Sequence, residues 1–188
     1  MYIQQLYTGC LSEAAYFIES NGEAAVIDPL RDIEAYLQLA TERKATIKYI
    51  FETHFHADFV SGHIDLASAT GAPIIYGPDT KANFPVHVSK DGEQFKLGDI
   101  TIEVLHTPGH TLESSCYLLK DEKGKDHAVF TGDTLFAGTR GRTDLSYSST
   151  KSIYQSLKCL MELPPDTIVL PGHGNDTTIA RERSLYSF

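Results

Sequence analysis

The chain has 188 residues, 41% of them hydrophobic and 22% charged, which is enough for one domain with a substantial core. A formal charge of −9 and a pI near 5.3, with no basic stripe, exclude a nucleic-acid-binding surface. No apolar run approaches the ~20 residues of a bilayer span, and the opening Met1-Tyr2-Ile3-Gln4-Gln5 lacks the basic and apolar regions of a secretory signal, so a cytoplasmic protein away from membranes is expected.

Residues 2–8 and 14–19 read as strands joined by a turn at Thr8-Gly9-Cys10, and 23–28 as a third strand after the hairpin signal Asn21-Gly22. Pro29 breaks it. Asp32 is placed to cap a helix to about Lys44, with Ile33, Tyr36, Leu37 and Ala40 at helical spacing. Residues 47–52 form the next strand, and 61–70 a second helix closed by Gly71. The middle changes character: 73–77, 86–88, 93–96, 100–106, 114–119 and 128–131 are short strands between turn residues, the pattern of a meander in a second sheet. A polar loop spans 138–149. Residues 150–160 then read as a helix with Ile153, Leu157 and Leu160 on one face, stopped by Pro164-Pro165. A last strand at 167–170 and a closing helix at 177–186 complete one domain over 1–188: two sheets with helices outside.

The chemistry gathers just past strand ends. His54, His56 and Asp58 stand in Thr53-His54-Phe55-His56-Ala57-Asp58, directly after an apolar run. Two imidazoles and a carboxylate within five residues are expensive to bury without a partner, and a divalent metal suits that mixture. His110, Asp133 and His173 each follow a strand and are flanked by Gly, Pro or Thr. Singly, each is better read as a satisfied polar loop residue; the joint pattern is what argues for metal. His63, His87, His106 and His127 have no such setting, though His63 lies near the cluster. Cys10, Cys116 and Cys159 lack CxxC spacing and fit a reducing compartment. Cys116 and Cys159 read as small buried apolar residues, and Cys10, in a glycine turn, is the one to test for reactivity.

The motifs Thr53–Asp58, Thr107–Thr111 around His110, Thr131–Thr134 around Asp133 and Pro171–Gly174 around His173 resemble, in order, the metal-binding motifs of the metallo-β-lactamase superfamily. The strand ending at Asp28 resembles that family's first motif, whose Asp supports the metal loop. The resemblance implies an α/β fold, an αβ/βα four-layer sandwich of two mixed sheets with helices on the outer faces and the metal at the sheet rim.

Hydrolases of that family, such as glyoxalase II, carry a second zinc with the help of a His at the position of Phe59. A phenyl ring cannot ligate. The segments Tyr7–Leu11, His56–His63 and Gly141–Asp144 are instead similar to the persulfide (sulfur) dioxygenase branch, which uses one iron. That resemblance implies Fe(II) on His54, His110 and Asp133, the two-His, one-carboxylate arrangement that leaves three octahedral positions open. It implies a catalytic role for His56, Asp58 and Arg142, with Arg142 holding a substrate carboxylate. His56, Asp58 and His173 become further ligands where a second metal binds. The expected reaction converts glutathione persulfide, or a similar small thiol persulfide, with O2 and water to sulfite and thiol, and the resemblance implies a homodimer. The alternative is a Zn(II) thioester hydrolase of the glyoxalase II kind, against which stands the short stretch after Tyr186.

Overall fold

The computed structural model describes residues 1–8 and 13–186. Strands β1 (Tyr2–Thr8), β2 (Glu13–Ser20) and β3 (Glu23–Ile27) run antiparallel. Ser20 faces Glu23, so the β2–β3 turn holds only Asn21 and Gly22, both at positive φ (49° and 79°), the backbone that Asn-Gly adopts most cheaply. Helix α1 (Glu34–Glu42) carries the chain back so that β4 (Thr46–Phe51) lies parallel to β3. Asp32 Oδ1 accepts the Glu34 N–H at 3.2 Å, although the cap position itself falls on Ile33.

Helix α2 (His63–Thr70) ends at Gly71 as expected and leads to β5 (Ile74–Tyr76), with β6 (His87–Val88) beyond it. Both pair parallel in the first sheet, order β1-β2-β3-β4-β5-β6. The expectation that 73–77 and 86–88 open the second-sheet meander is thereby corrected. The α2 crossover returns the chain to the same edge in the same direction, a pairing that local pattern does not encode.

The meander itself is β7 (Gln94–Leu97), β8 (Ile100–His106), β9 (Ser115–Lys120) and β10 (Asp126–Gly132), antiparallel throughout. A small hairpin, β11 (Leu135–Phe136) with β12 (Thr139–Arg140), reaches into the stretch read as loop. Helix α3 (Thr150–Leu160) is capped by Ser149, whose Oγ accepts the Ser152 N–H at 3.2 Å. Strand β13 (Ile168–Pro171) lies parallel to β10. The closing helix is shorter than expected: Thr177–Thr178 form an edge strand, β14, on β13, and α4 covers only Ile179–Arg183. No helix among the described residues is long and apolar enough to cross a membrane.

Between the sheets, Tyr16, Ile18, Ile27, Phe51 and Ile75 meet Ile102, Val104, Tyr117, Leu119 and Phe130. Phe17, Val26 and Ile50 pack outward on Tyr36, Ala40 and Leu66 of α1 and α2. On the far side Cys116, Leu118 and Val129 pack on Leu157, Leu160 and Ile179 of α3 and α4. The layers are therefore helix, sheet, sheet, helix. Burial pushes the Cys116 thiol up to about 12. Cys159 is exposed, contrary to the expectation of a buried residue, because it lies on the solvent face of α3. Cys10 lies outside the described residues.

The two sheets are stitched at one rim. The Ala14 N–H donates to the Gly172 carbonyl and the Ser115 N–H to that of Thr53, both at 2.9 Å, and the Tyr16 hydroxyl donates to the Pro171 carbonyl at 2.7 Å. Those bonds hold the ends of β2, β4, β9 and β13 together.

Candidate metal centre

His54 lies three residues past Phe51, the end of β4, His110 follows β8, and Asp133 follows β10. One donor atom from each lies within 4.8 Å of the others. The rim glycine Gly132 makes this possible: its φ of +45° is left-handed, and a Cβ there would stand 2.3 Å from Thr53 Oγ1.

Protein hydrogen bonds decide which face each imidazole presents. The Asp28 carboxylate accepts the Thr53 N–H at 2.7 Å and the Thr53 hydroxyl at 2.8 Å. With its one proton given to Asp28, the hydroxyl accepts from His54 Nδ1 at 2.9 Å. His110 Nδ1 donates to the Arg142 carbonyl at 3.1 Å. Both rings therefore keep the Nε2 lone pair for a ligand, the arrangement that orients metal-binding histidines. Burial, and then the nearby His56, His110 and His173, hold the His54 imidazole well below its usual range, so it is neutral and able to ligate. Burial raises the Asp133 carboxyl against the pull of His173 and His110, and its Oδ1 has no hydrogen bond among the described residues.

His56 does not join this group. Its Nε2 lies 3.1 Å from Asp28 Oδ1 and 3.3 Å from Glu52 Oε2, behind the loop and out of solvent. Burial alone would push this imidazole down; the Asp28 and Glu52 carboxylates outweigh it and hold it well above the usual range. Burial likewise opposes ionisation of Glu52, and the neighbouring His56 and His63 imidazoles, each 3.3 Å away, more than offset it, leaving its pKa lowered. Phe59 packs on His56 with ring centres 4.4 Å apart. His63 Nδ1 stands 3.3 Å from Glu52, so it serves this buried pair and not the rim.

Asp58 and His173 meet in another group whose third member is Glu13, again with donor atoms within 4.8 Å. His173 Nε2 stands 3.1 Å from Glu13, 3.4 Å from Asp58 and 3.5 Å from Asp133 Oδ1. Burial pushes the Glu13 carboxyl up to about 9. Sequence reasoning missed Glu13 and Glu52. The available signal was an acid set against an apolar strand at the rim end, in Glu13-Ala14-Ala15-Tyr16-Phe17 and in Tyr49-Ile50-Phe51-Glu52.

Arg142 lies at the cleft, exposed, its guanidinium paired with Asp144 at 2.7 and 2.8 Å. The cleft above the metal group measures about 320 Å³ and includes Leu145 and Tyr147. It adjoins an apolar recess of about 350 Å³ that shares Phe55, Ala57 and Tyr147 and adds Leu112. A larger apolar cleft of about 480 Å³, with Tyr7 and Phe59 on its walls, contains none of the three ligand groups.

The donor set fits a divalent metal: two imidazoles whose Nδ1 atoms are held by protein partners, beside a carboxylate with an oxygen that has no hydrogen bond among the described residues. The model of the Metallo-beta-lactamase superfamily matches residues 8–173. The chain is 40% identical over 151 residues to a hydroxyacylglutathione hydrolase of Brucella anthropi, covering 78% of this chain and 55% of that one. It thus spans little more than half the length of that relative. Among solved structures, a metallo-beta-lactamase from Staphylococcus aureus is 35% identical with a TM-score of 0.92, covering 98% of this chain and 62% of that one. ETHE1 from Myxococcus xanthus is 34% identical with a TM-score of 0.88, covering 97% and 82%. A match that runs from the end of β1 to the last rim histidine, on this sandwich, makes the chain a member of the metallo-beta-lactamase superfamily.

Proposed function

We propose that the chain is a mononuclear non-haem iron persulfide dioxygenase, oxidising a small thiol persulfide with O2 and water to sulfite and the thiol. One observation carries the reading: the rim offers two imidazoles and one carboxylate, while the third imidazole of the motif, His56, is held by Asp28 and Glu52. Two histidines and one carboxylate are the ligand set of Fe(II) oxygenases. Iron bound there supplies redox chemistry and open positions at which persulfide and O2 meet. The likeness to the ETHE1 structure supports the same branch.

The chain's own residues do the rest. Asp28, through Thr53, and the Arg142 carbonyl fix the two imidazoles, so the metal site is formed before substrate arrives. Arg142 reaches the cleft mouth, where a substrate carboxylate competes with Asp144 for its guanidinium; that exposed pair is cheap to open. Asp58 and His173 form the polar wall facing the reacting sulfur, and Tyr147 and Leu145 the less polar one. The thiol's carbon skeleton extends towards the apolar recess at Leu112.

A second reading, a zinc thioester hydrolase, is favoured by the similarity to the Brucella hydrolase and by the Glu13–Asp58–His173 group beside the first. Its nucleophile would be hydroxide from a water whose pKa the metal lowers to about 7. The deciding experiment is elemental analysis of anaerobically purified protein with an oxygen-electrode trace. About one iron per chain and O2 uptake dependent on persulfide support the dioxygenase. Zinc-loaded protein that cleaves S-lactoylglutathione without O2 uptake establishes the hydrolase.

A further inference from the structure

The recess beside the metal cleft has fixed walls, and they suit an apolar group. Leu112 and Tyr147 line it while 61% and 45% exposed, two large side chains left in water at one concavity. One exposed apolar residue needs no reason; two at a recess that adjoins a metal-ligand group do. The turn carrying Leu112 is held from both sides. The Gly109 N–H donates to the Thr111 carbonyl at 2.9 Å, the Thr111 N–H to Ser114 Oγ at 3.0 Å, and His106 Nε2 to the Leu112 carbonyl at 3.0 Å. Glu113 Oε1 accepts the Phe55 N–H at 3.0 Å and so ties this turn to the metal loop. Phe55 in turn rests on the buried Tyr76, with ring centres 4.8 Å apart. The recess is therefore formed before a ligand arrives, which lowers the cost of filling it.

Charge narrows the occupant. Among the described residues, Arg142 is the one Lys or Arg lining either the cleft or the recess. Glu113 brings a carboxylate to the recess, and the charge of His56 beside it answers Asp28 and Glu52. One substrate carboxylate thus has a guanidinium to meet. A second, as glutathione carries, would stand near Glu113 or Asp58 with no cation to offset it.

We propose that the persulfide taken here is that of a thiol with one carboxylate and an apolar acyl body, an N-acylcysteine rather than glutathione. The three arms of the cysteine α-carbon match three separate places: sulfur at the metal group, carboxylate at Arg142, acyl chain in the recess at Leu112 and Tyr147. The inference rests on the persulfide dioxygenase reading and adds to it the body of the thiol.

The test separates binding from turnover. Thioether probes in which a methyl group replaces the terminal persulfide sulfur are titrated into the purified protein by calorimetry: the S-methyl derivatives of N-acetyl-, N-butanoyl- and N-hexanoylcysteine, and S-methylglutathione. A fully buried methylene is worth roughly fourfold, so affinity should rise by about 20-fold or more from acetyl to hexanoyl, with S-methylglutathione no tighter than the acetyl probe. Leu112→Asp, at an exposed position, should flatten the series. Leu112→Lys, which supplies a second cation, should tighten S-methylglutathione by roughly fivefold. A flat series, S-methylglutathione as the tightest probe, or a chain-length slope that survives Leu112→Asp overturns the proposal. In oxygen-electrode assays kcat/KM should be higher for N-hexanoylcysteine persulfide than for glutathione persulfide, and the reverse order overturns it equally. No uptake with any persulfide, on a rising binding series, would sink the dioxygenase and leave the recess assigned.

Discussion

The motif after β4 sends its two histidines into opposite worlds. His54 joins His110 and Asp133 at the rim, while His56 joins Asp28 and Glu52 behind it, and each trio gathers its donor atoms within the same 4.8 Å. Composition does not separate them; hydrogen bonds do. At the rim both Nδ1 protons are spent on protein acceptors, so the two Nε2 atoms are left for a ligand beside Asp133, whose Oδ1 lacks a donor among the described residues. Behind it, one proton on His56 Nε2 answers two carboxylates at 3.1 and 3.3 Å. The inner trio is held by charge, a raised imidazole set between two carboxylates, and the outer one calls for a metal. Equal ligand counts are therefore a poor guide to where an ion binds; the protonation pattern imposed by the neighbours is the better one.

The comparison breaks most completely at the rim. His110→Ala should abolish bound metal and reduce activity to background while the fold survives, as read by elemental analysis and circular dichroism. Next in size is Asp28→Asn, which strips a partner from the buried pair and loosens Thr53 and His54; it should lower unfolding free energy by about 3–5 kcal/mol in urea titration. If the inner trio matters little, that variant will unfold like the unaltered chain.

Titration sharpens the contrast without changing the metal. In chelator-treated protein the raised His56 contributes stability in full below its ordinary value of 6.5, and that contribution is lost as pH climbs through its raised value. Lowered Glu52 contributes above its ordinary 4.5 and loses this as pH falls. Stability should thus hold between roughly 4.5 and 6.5 and decline on the alkaline side. His56→Gln removes the imidazole between Asp28 and Glu52 and leaves only His63 beside Glu52, so its stability should instead rise as pH falls. Thermal unfolding across pH distinguishes the two slopes. The smallest effect belongs to Arg142→Ala: the exposed pair with Asp144 adds little to the fold, so the melting temperature should stay unchanged while KM rises for a carboxylate-bearing persulfide and kcat is kept.

Local signals carried much of the molecule. Asn21-Gly22 makes its two-residue turn, Ile153, Leu157 and Leu160 form the buried stripe of α3, and each rim residue named from sequence except His56 faces the cleft directly. What stayed hidden depends on contacts between distant segments. Residues 74–76 and 87–88 belong to the first sheet through parallel pairing, and Thr177–Thr178 read as helix until β13 offers a partner. Glu13 becomes a rim residue only because β2 is bridged to the chain beyond β13 across 160 positions. Equally, nothing near His56 in sequence announces that Glu52 and Asp28 will claim it.

The most direct measurement is an anomalous difference map at the iron edge from crystals grown anaerobically with Fe2+. A peak bounded by His54, His110 and Asp133, with His56 still on Asp28 and Glu52, is the predicted result. An iron drawn into contact with His56, its imidazole swung out of the buried pair, would contradict the account.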